Sequence, residues 1–169
     1  MRRFELTEEL LTGVEAIDNH HRALFELANR VVDPAVIKTE GPLFAEAVRF
    51  LSDYVLYHFA AEEQVMLDAR FPHVESHRGW HDRFKQEIAG YADQAAAVGF
   101  TKELNLRVSF AIENWLTEHI RITDRGLADY LKERGEGADV RFPSVRALVE
   151  WGKLPQGLAE RDGWTQAGD

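Results

Sequence analysis

The chain has 169 residues, 45% hydrophobic and 29% charged, and Asp plus Glu outnumber Lys plus Arg by 29 to 20 for a formal net charge of −9. These are the proportions of one globular domain with a packed core, and the acidic balance argues against nucleic acid or an anionic membrane surface as a partner. There is no cysteine, which excludes disulfides, thiolate zinc sites, iron–sulfur clusters and cysteine nucleophiles, so any metal must be held by histidine and carboxylate.

Apolar residues recur at helical spacing over four segments separated by short breaks containing Pro or Gly, with no alternation of strand type. The first helix is expected from Ala16 to Val32, ending at Asp33-Pro34 because a residue before proline is pushed out of the helical region. The second is expected from near Pro42 to Arg70, and the third after Phe71-Pro72 to Val98, where Gly99 stops it. The fourth is expected from near Thr101 to Arg134, ending in Gly135-Glu136-Gly137. The short connections force antiparallel neighbours and predict an all-α, up-down-up-down four-helix bundle over residues 1–134. Residues 135–169 differ in composition and are expected to form a C-terminal extension, with one short helix carrying Val145, Leu148, Val149 and Trp151 docked on the bundle. The extension is also a candidate surface for a protein partner, since Trp151 and Trp164 are costly to leave in water. The basic start leads into no apolar run of signal-peptide type and no stretch has the length of a membrane span, so a cytoplasmic location is expected.

The chemistry lies in where histidines and carboxylates fall on the helical stripes. In the first helix His20 and His21 compete for the inward face, and the directions of Ile17, Phe25 and Ala28 favour His21. In the second, the stripe Ala47, Leu51, Tyr54, Val55 continues through His58 and Glu62 to Val65 and Ala69, so both polar residues point inward. Glu63, about 140° from the His58 direction, is expected to face solvent. In the third, His77 and His81 share a stripe with Phe84, Ile88 and Ala95. His73 lies on the same stripe, but its place in the first turn suits a structural role or one behind the ligands. In the fourth, Val108, Ile112, Trp115 and His119 share a stripe, and Asp124, five residues on, would fall on the wrong face of a regular helix. Leu127 and Leu131 resume the stripe in phase with Asp124, which predicts a one-residue π-bulge between His119 and Asp124. Five imidazoles and two carboxylates turned into one core require a shared partner, because a buried unpaired carboxylate costs several kcal/mol; a metal ion is the economical one.

The stretches carrying these residues resemble the hemerythrin family, and specifically its bacterial members. They are Gly13-Val14-Glu15-Ala16-Ile17-Asp18-Asn19-His20-His21 with Leu24-Phe25, His58-Phe59-Ala60-Ala61-Glu62-Glu63 with Met66, Phe71-Pro72 with His77 and His81, and Trp115-Leu116 with His119-Ile120 and Asp124. The resemblance runs over about residues 1–132, with Phe4 where many relatives carry Trp. It implies two iron ions, one held by His77, His81 and His119 and the other by His21 and His58, bridged by Glu62, Asp124 and an oxo or hydroxo group. It also implies that O2 is taken up reversibly at the open position of the His21/His58 iron, for carriage, storage or sensing, beside a pocket walled by Trp115 and Leu116. No residue is assigned a catalytic role. The ligand set differs from the carboxylate-rich set of ferritin-like oxidases, which favours binding over oxidation. Two alternatives stay open: an enzyme acting on peroxide, superoxide or NO at the same centre, and an oxygen- or iron-responsive signalling module working through the extension.

Overall fold

The computed structural model describes residues 3–31 and 41–142. Helix α1 spans Glu15–Val31, α2 Gly41–Asp68, α3 Val74–Val98 and α4 Lys102–His119. A π-turn, Ile120–Asp124, carries α4 into α5, Arg125–Glu133. There is no strand among the described residues. Helix α2 packs on α1 and α3, and α4 packs on α3 and α1, so the four rods close into a ring around one axis. This is the four-helix bundle expected from the pattern of apolar residues, and its described helix ends lie within two residues of the expected ones. The stop at Asp33-Pro34 and the short helix expected around Val145–Trp151 lie outside the described residues. No helix among the described residues is long and apolar enough to cross a membrane.

Local chemistry sets the ends of the rods. The buried Asp18 carboxylate accepts hydrogen bonds from Thr12 N and Thr12 Oγ1, both at 2.8 Å, and from Gly13 N at 3.1 Å, which clasps the corner leading into α1. Thr101 caps α4 by accepting from Leu104 N at 3.0 Å. After α2 the chain closes with Phe71 N donating to Met66 O at 2.8 Å and Arg70 N to Leu67 O at 3.1 Å. This closure places Arg70 at φ 54°, where glycine is the usual occupant.

The apolar interior is split in two. One cluster gathers Leu24, Leu27, Phe44, Leu51, Phe59, Phe84, Ile88, Val108, Ile112 and Ile120. The other gathers Val14, Ile17, Met66, Phe71, Leu127, Leu131 and Val140. In each rod the residues between the two clusters are the polar ones: His20 and His21, His58 and Glu62, His77 and His81, and His119 and Asp124. A buried polar layer therefore crosses the bundle. Beyond α5, Val140 joins the second cluster, and the half-buried Phe142 sets its ring 4.5 Å from that of His20.

Candidate metal centre

The four rods bring seven side chains to one place. The ligand-capable atoms of Glu62, His77, His81, His119 and Asp124 lie within 4.8 Å of one another, as do those of His21, His58, Glu62 and Asp124. The two carboxylates belong to both groups, and all seven residues are buried. No other such group stands among the described residues.

Within the first group the imidazole nitrogens converge. His119 Nε2 lies 3.1 Å from His81 Nε2 and 3.3 Å from His77 Nε2. Asp124 Oδ1 is 2.8 Å from His119 Nε2 and 3.1 Å from His77 Nε2, while Glu62 Oε2 is 3.2 Å from His81 Nε2 and 3.5 Å from His77 Nε2. On the other side Asp124 Oδ2 meets His21 Nε2 at 3.0 Å. Two nitrogens bound side by side on one octahedral ion at about 2.1 Å stand about 3 Å apart, so these separations are those of ligand atoms around a common ion. Both ring nitrogens of His21 and His58, and all four carboxylate oxygens of Glu62 and Asp124, have no aligned hydrogen-bond partner among the described residues. Orphaned atoms of this kind cost about 1–3 kcal/mol each in a dry interior, and cations placed among them would satisfy them. The donor set fits metal ions, one in each group.

Two imidazoles have their tautomer fixed from behind. Thr123 Oγ1 donates to the carbonyl of His119 at 2.6 Å, which spends its only proton, so at 2.9 Å from His119 Nδ1 it must accept. His81 Nδ1 lies 3.0 Å from a carboxylate oxygen of Glu63, an obligate acceptor when ionised. In both rings the proton sits on Nδ1 and the Nε2 lone pair is turned to the centre.

Electrostatics point the same way. Burial alone would raise the Glu62 and Asp124 carboxyls, but the neighbouring imidazoles hold both below the usual carboxylate range. Burial pulls His77 down, yet Asp124 and Glu62 outweigh it and push it up to about 10. Burial keeps His58 well below its ordinary value, and His119 is lowered for the same reason. Without a metal the layer thus holds two anions, neutral imidazoles at His58 and His119, and a proton on His77 that a divalent ion bound by the same carboxylates would displace.

The structure places the remaining sequence expectations as follows. His21 stands in the cluster, while the equally buried His20 packs among Tyr54, Tyr57 and Phe142 outside it. His73 is exposed at the start of α3, its ring against Phe71. The π-bulge is present as Ile120–Asp124, with Arg125 N bonded to Ile120 O, and it returns Asp124 to the face of His119. Trp115 lies flat on His119, with ring centroids 4.2 Å apart, and on Phe84 at 4.1 Å; Leu116 is buried in the first apolar cluster. Glu63 does not face solvent. It is only 16% exposed because a face turned 140° from the axis of a bundle meets the next rod, and α3 covers it with Arg78, His81 and Lys85. The apolar pattern gives no role to Asp18 or Thr123, which the structure places in the corner before α1 and behind His119. Thr123 follows His119 by four, and this i, i+4 spacing could have signalled the contact.

Comparison with known proteins agrees with this geometry. The family model for the hemerythrin HHE cation binding domain matches residues 12–131. A bacteriohemerythrin of Pseudomonas aeruginosa is 31% identical over 125 residues, covering 74% of this chain and 79% of the relative. A bacteriohemerythrin of Clostridium acetobutylicum is 26% identical over 131 residues, covering 75% of this chain and 99% of the relative. In fold, the chain is similar to a crystal structure of a hemerythrin mutant, with TM-score 0.67 and 22% identity over 78% of this chain and 98% of that one. With its helical rods, a polar layer that could hold metal and a match over most of its length, this chain belongs to the hemerythrin family.

Proposed function

We propose that the chain holds a non-haem pair of iron ions and binds O2 reversibly. His77, His81 and His119 would hold one ion and His21 and His58 the other, with Glu62 and Asp124 shared and an oxo or hydroxo group completing the bridge. The observation that carries this reading is the membership of Glu62 and Asp124 in both ligand groups, which supports reading the two groups as one two-ion site. When bound, such a pair supplies two electrons to O2 and recovers them on its release.

The chain's own residues decide whether that exchange stays reversible. His119 is sealed by the flat face of Trp115, and His81 by Phe59, whose ring is 3.8 Å away and within 3° of parallel. These walls, with Leu116, exclude water and its protons from the layer, and dry surroundings slow the loss of a bound anionic ligand. Five imidazoles against two carboxylates leave less negative charge on the ions than carboxylate-rich sites do, which suits a carrier, store or sensor rather than an oxidase. The bundle over residues 1–134 is read as the binding domain and residues 135–169 as its extension.

The test is the visible spectrum of the iron-loaded chain under anaerobic, aerobic and re-deoxygenated conditions. A band that appears with O2 and disappears when O2 is removed supports the proposal. Irreversible bleaching, or turnover with an added reductant, would favour the enzymatic alternative.

A further inference from the structure

Glu63 is the one acidic side chain of α2 that touches the polar layer from behind. Its Oε1 receives His81 Nδ1 and Lys85 Nζ, each at 3.0 Å, and its Oε2 is 3.2 Å from Arg78 Nε. Both carboxylate oxygens are thus anchored. The ammonium of Lys85 and the guanidinium of Arg78 hold the carboxylate beside His81 Nδ1. The imidazole it holds is fully buried, stacked on Phe59, with Nε2 among the ligand atoms of the first group. The support behind the three imidazoles of that group is unequal: an anchored carboxylate behind His81, a neutral hydroxyl behind His119, and no aligned partner among the described residues behind His77 Nδ1.

We propose that Glu63 is a positioning residue that fixes His81 with its proton on Nδ1, aims Nε2 at the ion, and sets the electron-donating strength of that ligand. This inference rests on the two-ion reading above. A carboxylate hydrogen-bonded to the far nitrogen of a metal-bound imidazole makes the ring more basic and stabilises the higher oxidation state of the ion it binds. Lys85 and Arg78 keep the carboxylate from swinging away and temper its charge. Both sit on the face of α3 that carries His81, three residues before it and four after. The hydroxyl behind His119 can orient its ring without adding charge, so the reducing character of this half of the centre rests on Glu63.

The test compares the 169-residue chain with Glu63→Gln, which keeps an acceptor oxygen but loses the charge, and Glu63→Ala, which loses both. Three readouts are used: nitrogen-edited NMR of the histidine side chains in the metal-free and zinc-loaded chain, cobalt affinity by competition with a chelator, and the midpoint potential of the iron-loaded chain. Wild type and Glu63→Gln are expected to show a protected His81 Nδ1–H that becomes exchange-labile in Glu63→Ala. Cobalt affinity should fall about 10- to 100-fold in Glu63→Ala and less in Glu63→Gln. The potential should rise in Glu63→Gln, which a merely structural hydrogen bond would not produce. A His81 proton on Nε2 in the metal-free chain, or wild-type affinity and potential in both variants, overturns the proposal. Fewer than two ions per wild-type chain overturns the two-ion reading instead, while the protonation of His81 in the metal-free chain still decides the part played by Glu63.

Discussion

Thr123 and His119 form a closed unit in which the threonine hydroxyl donates to the carbonyl of His119 at 2.6 Å and accepts from its Nδ1 at 2.9 Å. One side chain within the π-turn therefore both covers the backbone loosened by the extra residue and orients the imidazole beside it. The turn is an insertion in function as well as geometry, since it rotates all that follows by one residue.

Deleting the exposed Ile122 should convert the turn to ordinary α-helix and leave His119, Asp124 and Leu127 on one face, with the chain folded. Deleting Gly126, outside the turn, should throw Leu127 and Leu131 about 100° out of phase and unfold the end of the bundle. Far-ultraviolet circular dichroism and thermal melting of the two variants check this. Equal tolerance of both deletions would show that the turn does not set the phase.

His20 and His21 are equally hidden but face different surroundings. His21→Ala should reduce bound metal to about one ion per chain or fewer, and His20→Ala should keep two, as read by metal analysis after loading. The reverse result would transfer the ligand role to His20.

Leu116 is 3% exposed in the first apolar cluster. Leu116→Ala should keep both irons, cost about 2–5 kcal/mol of stability and oxidise faster in air, because a smaller side chain admits water and protons. Stopped-flow mixing of the reduced variant with O2 follows the decay. An unchanged rate in a folded, loaded variant would leave Trp115 as the barrier.

Arg70, exposed with φ at 54°, carries a side chain in a backbone conformation that disfavours one. Arg70→Gly should raise stability by about 0.5–1 kcal/mol, the relief of strain being partly offset by the freer unfolded chain. Chemical denaturation measures it, and a loss of stability would mean that Arg70 makes contacts worth more than the strain.

Chelation should cost far more. With several carboxylate oxygens and ring nitrogens unmatched in a dry layer, the metal-free chain is expected to melt more than about 10 °C below the loaded one. Calorimetry with and without chelator is the check, and coincident melting curves would show that the layer needs no ion.

The legibility of the sequence varied with the kind of physics involved. Helices, their order and the inward face of each were readable because burial imposes a strict period, and the phase slip after His119 was readable as a break in it. Thus Leu127 and Leu131 reported on Asp124 without any knowledge of the structure. What one helix's period cannot report is its neighbour. Glu63 looked solvent-facing by angle, and only the packing of α3 shows that His81, Lys85 and Arg78 await it. Asp18 was hidden for a related reason: its partners Thr12 and Gly13 lie in an irregular corner that has no period.

The polar layer joins residues far apart in the sequence. His21 meets Asp124 at 3.0 Å across 103 positions (124 − 21), and beside them Lys132 reaches Thr12 O across 120 and Arg125 reaches Leu11 O across 114. Closing contacts so distant in sequence is the slow part of folding, because the entropy of the intervening loop must be overcome first. On the ribosome, α1 is made first and meets Asp124 only after the π-turn has emerged. The polar layer is therefore completed only when nearly the whole bundle has been made, and a metal ion held by all seven residues would be taken up after that point.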